Sequence, residues 1–115
     1  MDKNPKMQFI GSATLLVLAL LEENDHYGYE IIRELEQRSD KTFSMSEGTL
    51  YPILHDLQRQ GDVRTYEQTA PTGRRRKYYQ LTRQGIHTLC KKKQEWRLYC
   101  AKIGRILGGE AGALG

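Results

Sequence analysis

Cysteine, tryptophan and long apolar runs are all scarce in this chain of 115 residues. Its two cysteines, Cys90 and Cys100, are too few for the disulfide framework of a small secreted domain. They fit a reducing compartment, so a cytoplasmic protein is expected. Ten positions apart on one straight helix, they point in different directions and cannot pair within the chain. The most apolar stretch, Ala13 to Leu21, is nine residues long, whereas a membrane-spanning helix needs roughly twenty. Lys3 and Lys6 precede it, but no small-residue cleavage site follows, so neither a membrane span nor a secretory leader is expected. Also missing are a Gly-rich phosphate loop, a nucleophile elbow and a Ser or Cys spaced with His and an acid. An enzyme is therefore not expected, and no cofactor is implied. His87 and Cys90 share a helical face, and two copies would offer four zinc ligands. A buried thiol beside an exposed imidazole explains them as simply, and no metal site is assigned.

Charge is abundant but unevenly placed. Residues 1–61 hold six Lys or Arg against ten Asp or Glu, a net of −4, while residues 62–115 hold twelve against four, a net of +8. Such asymmetry points to a polyanion met mainly by the second half.

The hydrophobic pattern then divides the chain. Ser12 to Glu23 is apolar nearly all round, as in a helix buried on most sides. Asn24-Asp25-His26 interrupts it with turn-forming residues. Tyr27, Ile31, Ile32 and Leu35 form one stripe of an amphipathic helix running to Ser39. After a polar connection over 40–45, Ser46 is placed to cap a helix carrying Leu50, Ile53, Leu54 and Leu57, which Gly61 stops. The period changes to two in Val63–Tyr66 and again in Lys77–Leu81, around a loop at Gln68–Gly73, which predicts a β-hairpin. Thr82 caps a last helix reaching about Leu107. The expected fold is mainly α with a small β-hairpin: a winged helix-turn-helix over residues 1–81, a long dimerisation helix over 82–107 and a flexible tail over 108–115.

Candidate functional residues follow from that layout. The start of the third helix offers Ser46, Thr49, Tyr51, Pro52 and His55 to a DNA major groove. Ser46 serves equally as a cap, and Tyr51 either packs or touches phosphate. Pro52, within the first turns, loses little by lacking an amide. The hairpin carries Arg74, Arg75, Arg76 and Lys77, with no acid close by in sequence, and these suit phosphates or a minor groove. Strand alternation turns some of them inward, leaving Arg74 and Arg75 outermost. The closing helix has an apolar seam, Ile86, Leu89, Trp96, Ile103 and Ile106, that one copy cannot cover, so a homodimer interface is expected. Leu89, Trp96 and Tyr99 suggest either ordinary packing there or a platform for a small planar aromatic ligand.

Four stretches resemble the PadR family of transcriptional regulators, in family order and spacing. They are Tyr27-Gly28-Tyr29-Glu30-Ile31, Gly48-Thr49-Leu50-Tyr51-Pro52-Ile53-Leu54, Gly73-Arg74-Arg75-Arg76-Lys77-Tyr78-Tyr79 and Leu81-Thr82-Arg83-Gln84-Gly85. The resemblance covers residues 12–107 and is greatest to the small subgroup with a single C-terminal helix. It implies a dimeric winged helix-turn-helix repressor of operator DNA, relieved in several relatives by a flat aromatic or phenolic ligand or a drug. Two positions depart from the pattern: Asp56 stands where a basic residue is common, and Asp62 where an apolar one is common. An acid at 56 would repel phosphate if it faced DNA. Against the DNA reading stands a winged-helix module that binds protein, for which Glu47 and Asp56 speak and the basic hairpin does not.

Overall fold

The structure, a computed structural model, describes residues 5–108, with side chains from residue 12 onward. The tail expected at 108–115 lies outside these residues except for Gly108. Four helices and a small antiparallel sheet follow one another as α1 (Pro5–Glu23), β1 (His26–Tyr27), α2 (Gly28–Arg38), α3 (Glu47–Gln60), β2 (Val63–Thr69), β3 (Arg75–Leu81) and α4 (Arg83–Ile106). The fold is mainly α, a winged helix-turn-helix with a long C-terminal helix, as the periodicity indicated.

α1 begins at Pro5 rather than Ser12. Its all-round apolar character has a direct cause: Ala13, Val17, Leu18, Leu20 and Leu21 are all buried, so α1 is wrapped by the rest of the domain. Ile31 and Leu35 of α2, and Leu50, Leu54 and Leu57 of α3, close over it in one continuous core. Each such side chain is worth about 1.5–3 kcal/mol of transfer free energy. The chain reverses between α2 and α3 through two left-handed residues, Asp40 (φ 54°) and Lys41 (φ 67°). Ser39 braces that turn: its hydroxyl donates to the Leu35 carbonyl at 2.8 Å and accepts from the Phe43 amide at 2.9 Å.

Local signals set the ends of α3 and α4. The Ser46 hydroxyl accepts from the Thr49 amide at 3.2 Å, satisfying one first-turn donor of α3. Gly61 ends that helix at φ 90°, a conformation that side-chain-bearing residues rarely adopt. Thr82 caps α4 by accepting from the Gly85 amide at 3.0 Å.

The expected hairpin proves to be two strands of a three-stranded sheet, ordered β1-β3-β2. His26 pairs with Tyr79 and Tyr27 with Tyr78, so His26 belongs to a strand rather than to the turn before it. Two residues are too short to show a period, and the pairing is made by residues some fifty positions away. A second correction concerns Leu89. Placed by sequence on a free seam of α4, it is 0% exposed and packed in the chain's own core. It has no surface left for a partner or a ligand.

α4 crosses the root of the wing at Gly85. A Cβ there would overlap the Asp62 carbonyl oxygen and come within 2.6 Å of Leu81 Cδ1. Backbone cannot yield as a flexible side chain does, so Gly85→Ala should lower stability by about 3 kcal/mol, at the upper end of the overpacking range. Urea unfolding of the two proteins checks this, and an equal midpoint would show that α4 sits further from the root.

Candidate nucleic-acid interface

The apolar stripe of α3 is spent on the core, which leaves its other faces free. Gly48, Pro52, His55 and Arg59 form an exposed stripe at spacings of three and four, with Thr49 and Tyr51 beside it. The Ser46 hydroxyl is exposed while serving as cap, and it also donates to Thr49 Oγ1 at 3.3 Å. The Tyr51 ring lies across Gly28 at the start of α2, in space that any larger residue at 28 would fill. Part of the ring remains exposed, so packing and a surface role coexist. Neighbouring Tyr79 is held above its ordinary pKa by burial and, secondarily, by Tyr51.

Pro52 needs correcting. It is the sixth residue of α3, in the second turn, so its missing amide frees the Gly48 carbonyl. Gly48 is exposed, and water or a ligand can take up that acceptor. The acid at 56 is answered locally: Arg59 Nη2 donates to Asp56 Oδ1 at 2.9 Å, and both are exposed. With Glu47 at its start, α3 offers a nearly neutral face rather than a cationic one.

The positive charge lies on the wing, arranged differently from the sequence expectation. Strand alternation puts Arg76 on the same sheet face as Tyr27, Tyr78 and Tyr66. Tyr66 and Tyr78 stack with centroids 5.5 Å apart, Tyr27 meets Tyr78 edge-on at 5.5 Å, and the Arg76 guanidinium covers Tyr27 at 4.4 Å. The Tyr66 hydroxyl donates to Asp25 Oδ2 at 2.8 Å, which holds its pKa above the ordinary value. Arg76 thus braces the sheet. Arg75 is outermost as expected, its side chain 72% exposed, but it has a partner: it donates to Glu67 on β2. The hairpin brings across an acid that lies eight residues away along the chain. Arg74, beside a tip tied by Ala70 N to Arg74 O at 2.7 Å, and Lys77 are the exposed cations of this run without an ion-pair partner among the described residues.

A second feature lies on the far side. Trp96 and Tyr99 of α4, ring centroids 5.6 Å apart, line an open groove of about 450 Å³ with Ser12, Thr14 and Leu15 of α1. Ile86, Leu98 and Ile106 are exposed along the same helix, and Ile103 is half-buried. Leu98 escaped the sequence reading because it falls off the seven-residue seam. Among the described residues no helix is long and apolar enough to cross a membrane, and no cluster of three or more His, Cys, Asp or Glu could hold a metal.

Two helices joined by an eight-residue connection, the second with a free face and followed at once by a basic two-stranded wing, define a winged helix-turn-helix DNA-binding protein. The model of the PadR-like family of transcriptional regulators matches residues 17–91, and the chain belongs to that family. A transcriptional regulator from Clostridium thermocellum is 34% identical and superposes with a TM-score of 0.76, covering 83% of this chain and 92% of that one. A PadR family transcription regulator from Clostridium difficile is 35% identical, with a TM-score of 0.71 over 84% of this chain and 99% of the other. The transcriptional regulator YqjI of Escherichia coli is 29% identical over 85 residues, 74% of this chain but only 39% of YqjI. The chain is accordingly a DNA-binding transcriptional regulator and not an enzyme.

If the unpaired wing cations meet phosphate, Arg74→Ala and Lys77→Ala should each flatten the salt dependence of duplex binding by up to ~0.9 logarithmic units. Glu67→Gln releases Arg75 and should steepen it. Thr49→Ala or His55→Ala should instead alter preference among sequences. Fluorescence anisotropy at several salt concentrations measures all of these, and an unchanged slope in Arg74→Ala would place the wing tip off the DNA.

Proposed function

We propose that this regulator is a repressor that occupies operator DNA as a homodimer paired through α4, and that a flat aromatic or phenolic ligand at the α1–α4 groove releases it. Residues 1–81 form the DNA-binding unit, residues 82–107 the dimerisation helix, and the protein works in the cytoplasm. The observation that carries this reading is the uncovered apolar surface of α4: Trp96 is 47% and Ile106 84% exposed within a single chain. Monomeric proteins rarely leave such a row of large apolar groups in water, and a two-fold pairing covers the same patch on both copies. Ile86, Trp96, Ile103 and Ile106 supply the contact.

On the DNA side, Ser46, Thr49, Tyr51, Pro52 and His55 of α3 face the major groove. Arg74 and Lys77 hold phosphate, while Arg75 and Arg76 position the wing. Paired recognition helices must stand roughly 34–36 Å apart to enter successive major grooves. A ligand wedged beside Trp96 and Tyr99 lowers DNA affinity only by favouring a different separation, because a ligand shifts an equilibrium only through its preference for one state.

Sedimentation of the intact chain at micromolar concentration should give a dimer, and planar aromatic compounds should quench Trp96 emission and release duplex DNA from upstream of the chain's own gene in a gel-shift. A monomer would overturn the pairing. Equal binding of the compounds by Trp96→Ala would remove the platform role, and quenching with the DNA complex intact would remove induction.

A further inference from the structure

Asp62 is an acid, yet it is only 2% exposed. It lies between the end of α3 and the start of β2, and its side-chain partners come from the first turns of α4. Its Oδ1 accepts from Gln84 Nε2 at 3.1 Å and from Thr88 Oγ1 at 2.8 Å. Its main-chain carbonyl accepts from both the amide and the hydroxyl of Thr82, each at 3.0 Å. Gln84 Nε2 donates in addition to the Gln60 carbonyl at 2.6 Å, at the end of α3.

Residues 84 and 88 are one turn apart on one face of α4, so a carboxylate holding both fixes the helix's rotation as well as its position. Beyond the close approach at Gly85 this side of α4 is held by polar groups: an open cavity of about 320 Å³ there is lined by Gln60, Lys91 and Glu95 together with Asp62, Gln84 and Thr88. The apolar brace is Leu89, deeper in the core. Leu89 acts as a pivot and Asp62 as the stop.

We propose that Asp62 is a positioning residue that sets the angle between the DNA-reading part of the chain and α4, and so the separation at which two paired copies meet DNA. The inference rests on the α4-paired dimer proposed above. Trp96 lies eleven residues beyond Gly85, about 16 Å along the helix. A tilt of ~10° at the joint therefore shifts the contact at Trp96 by ~3 Å relative to its reading unit, and the two units of a pair by up to ~6 Å relative to each other, against a required spacing of roughly 34–36 Å. That is close to two base-pair steps, enough to lose register on an operator.

The test reads the joint within one chain, with or without DNA. Spin labels at Gln58→Cys on α3 and Lys102→Cys on α4, in a Cys90→Ser, Cys100→Ser background diluted with unlabelled chain, report the α3–α4 distance by double electron–electron resonance. The distribution should be narrow in the parent and in Asp62→Asn, which keeps an Oδ1 acceptor. It should broaden about twofold or more in Asp62→Leu, whose side chain is of similar size and accepts no hydrogen bond. Thr88→Val, which deletes the 2.8 Å bond alone, gives a milder broadening and serves if Asp62→Leu does not fold. An unchanged distribution in the folded variants overturns the proposal whatever the DNA behaviour.

The second readout uses duplexes selected from a randomised pool by the unlabelled parent chain, remade with one base pair inserted at the centre. The parent should bind the altered duplex about tenfold more weakly, the cost of one poorly fitted position. Asp62→Leu should discriminate less than about threefold while remaining a dimer in sedimentation. Retained discrimination despite a broadened joint also overturns the role. Failure of the parent to enrich any duplex would refute the operator reading, and with it the consequence for DNA spacing, whereas the distance measurement alone still decides whether Asp62 holds the joint.

Discussion

Everything in this molecule that concerns DNA is referred to one close approach, where the backbone of α4 lies against the Asp62 carbonyl at Gly85. No side chain fits between them, so the long helix begins in contact with the root of the wing. From that point Thr82 caps the helix, Leu81 lies beneath it, and one turn further on Leu89 enters the core shared by α1, α2 and α3. The wing, the recognition helix and the proposed dimer helix are thereby parts of one body. In the proposed dimer, how far a displacement along α4 reaches α3 depends on how firmly Asp62 holds Gln84 and Thr88 at this joint.

The division of electrostatic labour follows from the same geometry. α3 spends its leucines on the core and carries Glu47 and an Asp56–Arg59 pair on its free side, so little attraction to a polyanion comes from the helix that reads sequence. The exposed positive charge lies on the wing instead, and even there part of it is shared: Arg76 stacks on Tyr27, and Arg75 pairs with Glu67. The tyrosine row across all three strands stiffens a hairpin that would be marginal alone. In the proposed DNA complex attraction and discrimination therefore sit on different elements, an arrangement in which phosphate contacts position the protein and base contacts specify the site.

Much of this was legible in the sequence because it is encoded locally. Ser46, Gly61 and Thr82 each act within a turn of their own position, and the change from a helical to an alternating period at Val63 marks the wing. What was hidden depends on residues far apart along the chain. β1 exists only because β3 arrives beside it. Glu67 reaches Arg75 only through the hairpin register, and Leu89 is indistinguishable by spacing from Trp96 until the folded core buries the first and leaves the second 47% exposed. Asp62 is the sharpest case: as a lone acid after a glycine it read as a departure from pattern, and its donors lie 22 and 26 residues further on.

The central claim is that two reading units, joined through α4, enter successive major grooves of one duplex. Hydroxyl-radical footprinting on DNA upstream of the chain's own gene tests it most directly. The account predicts two protected patches related by a two-fold axis, their centres about 10–10.5 base pairs or a multiple of that apart, with flanking protection from the wings. A single patch, or protection without two-fold symmetry, would contradict it.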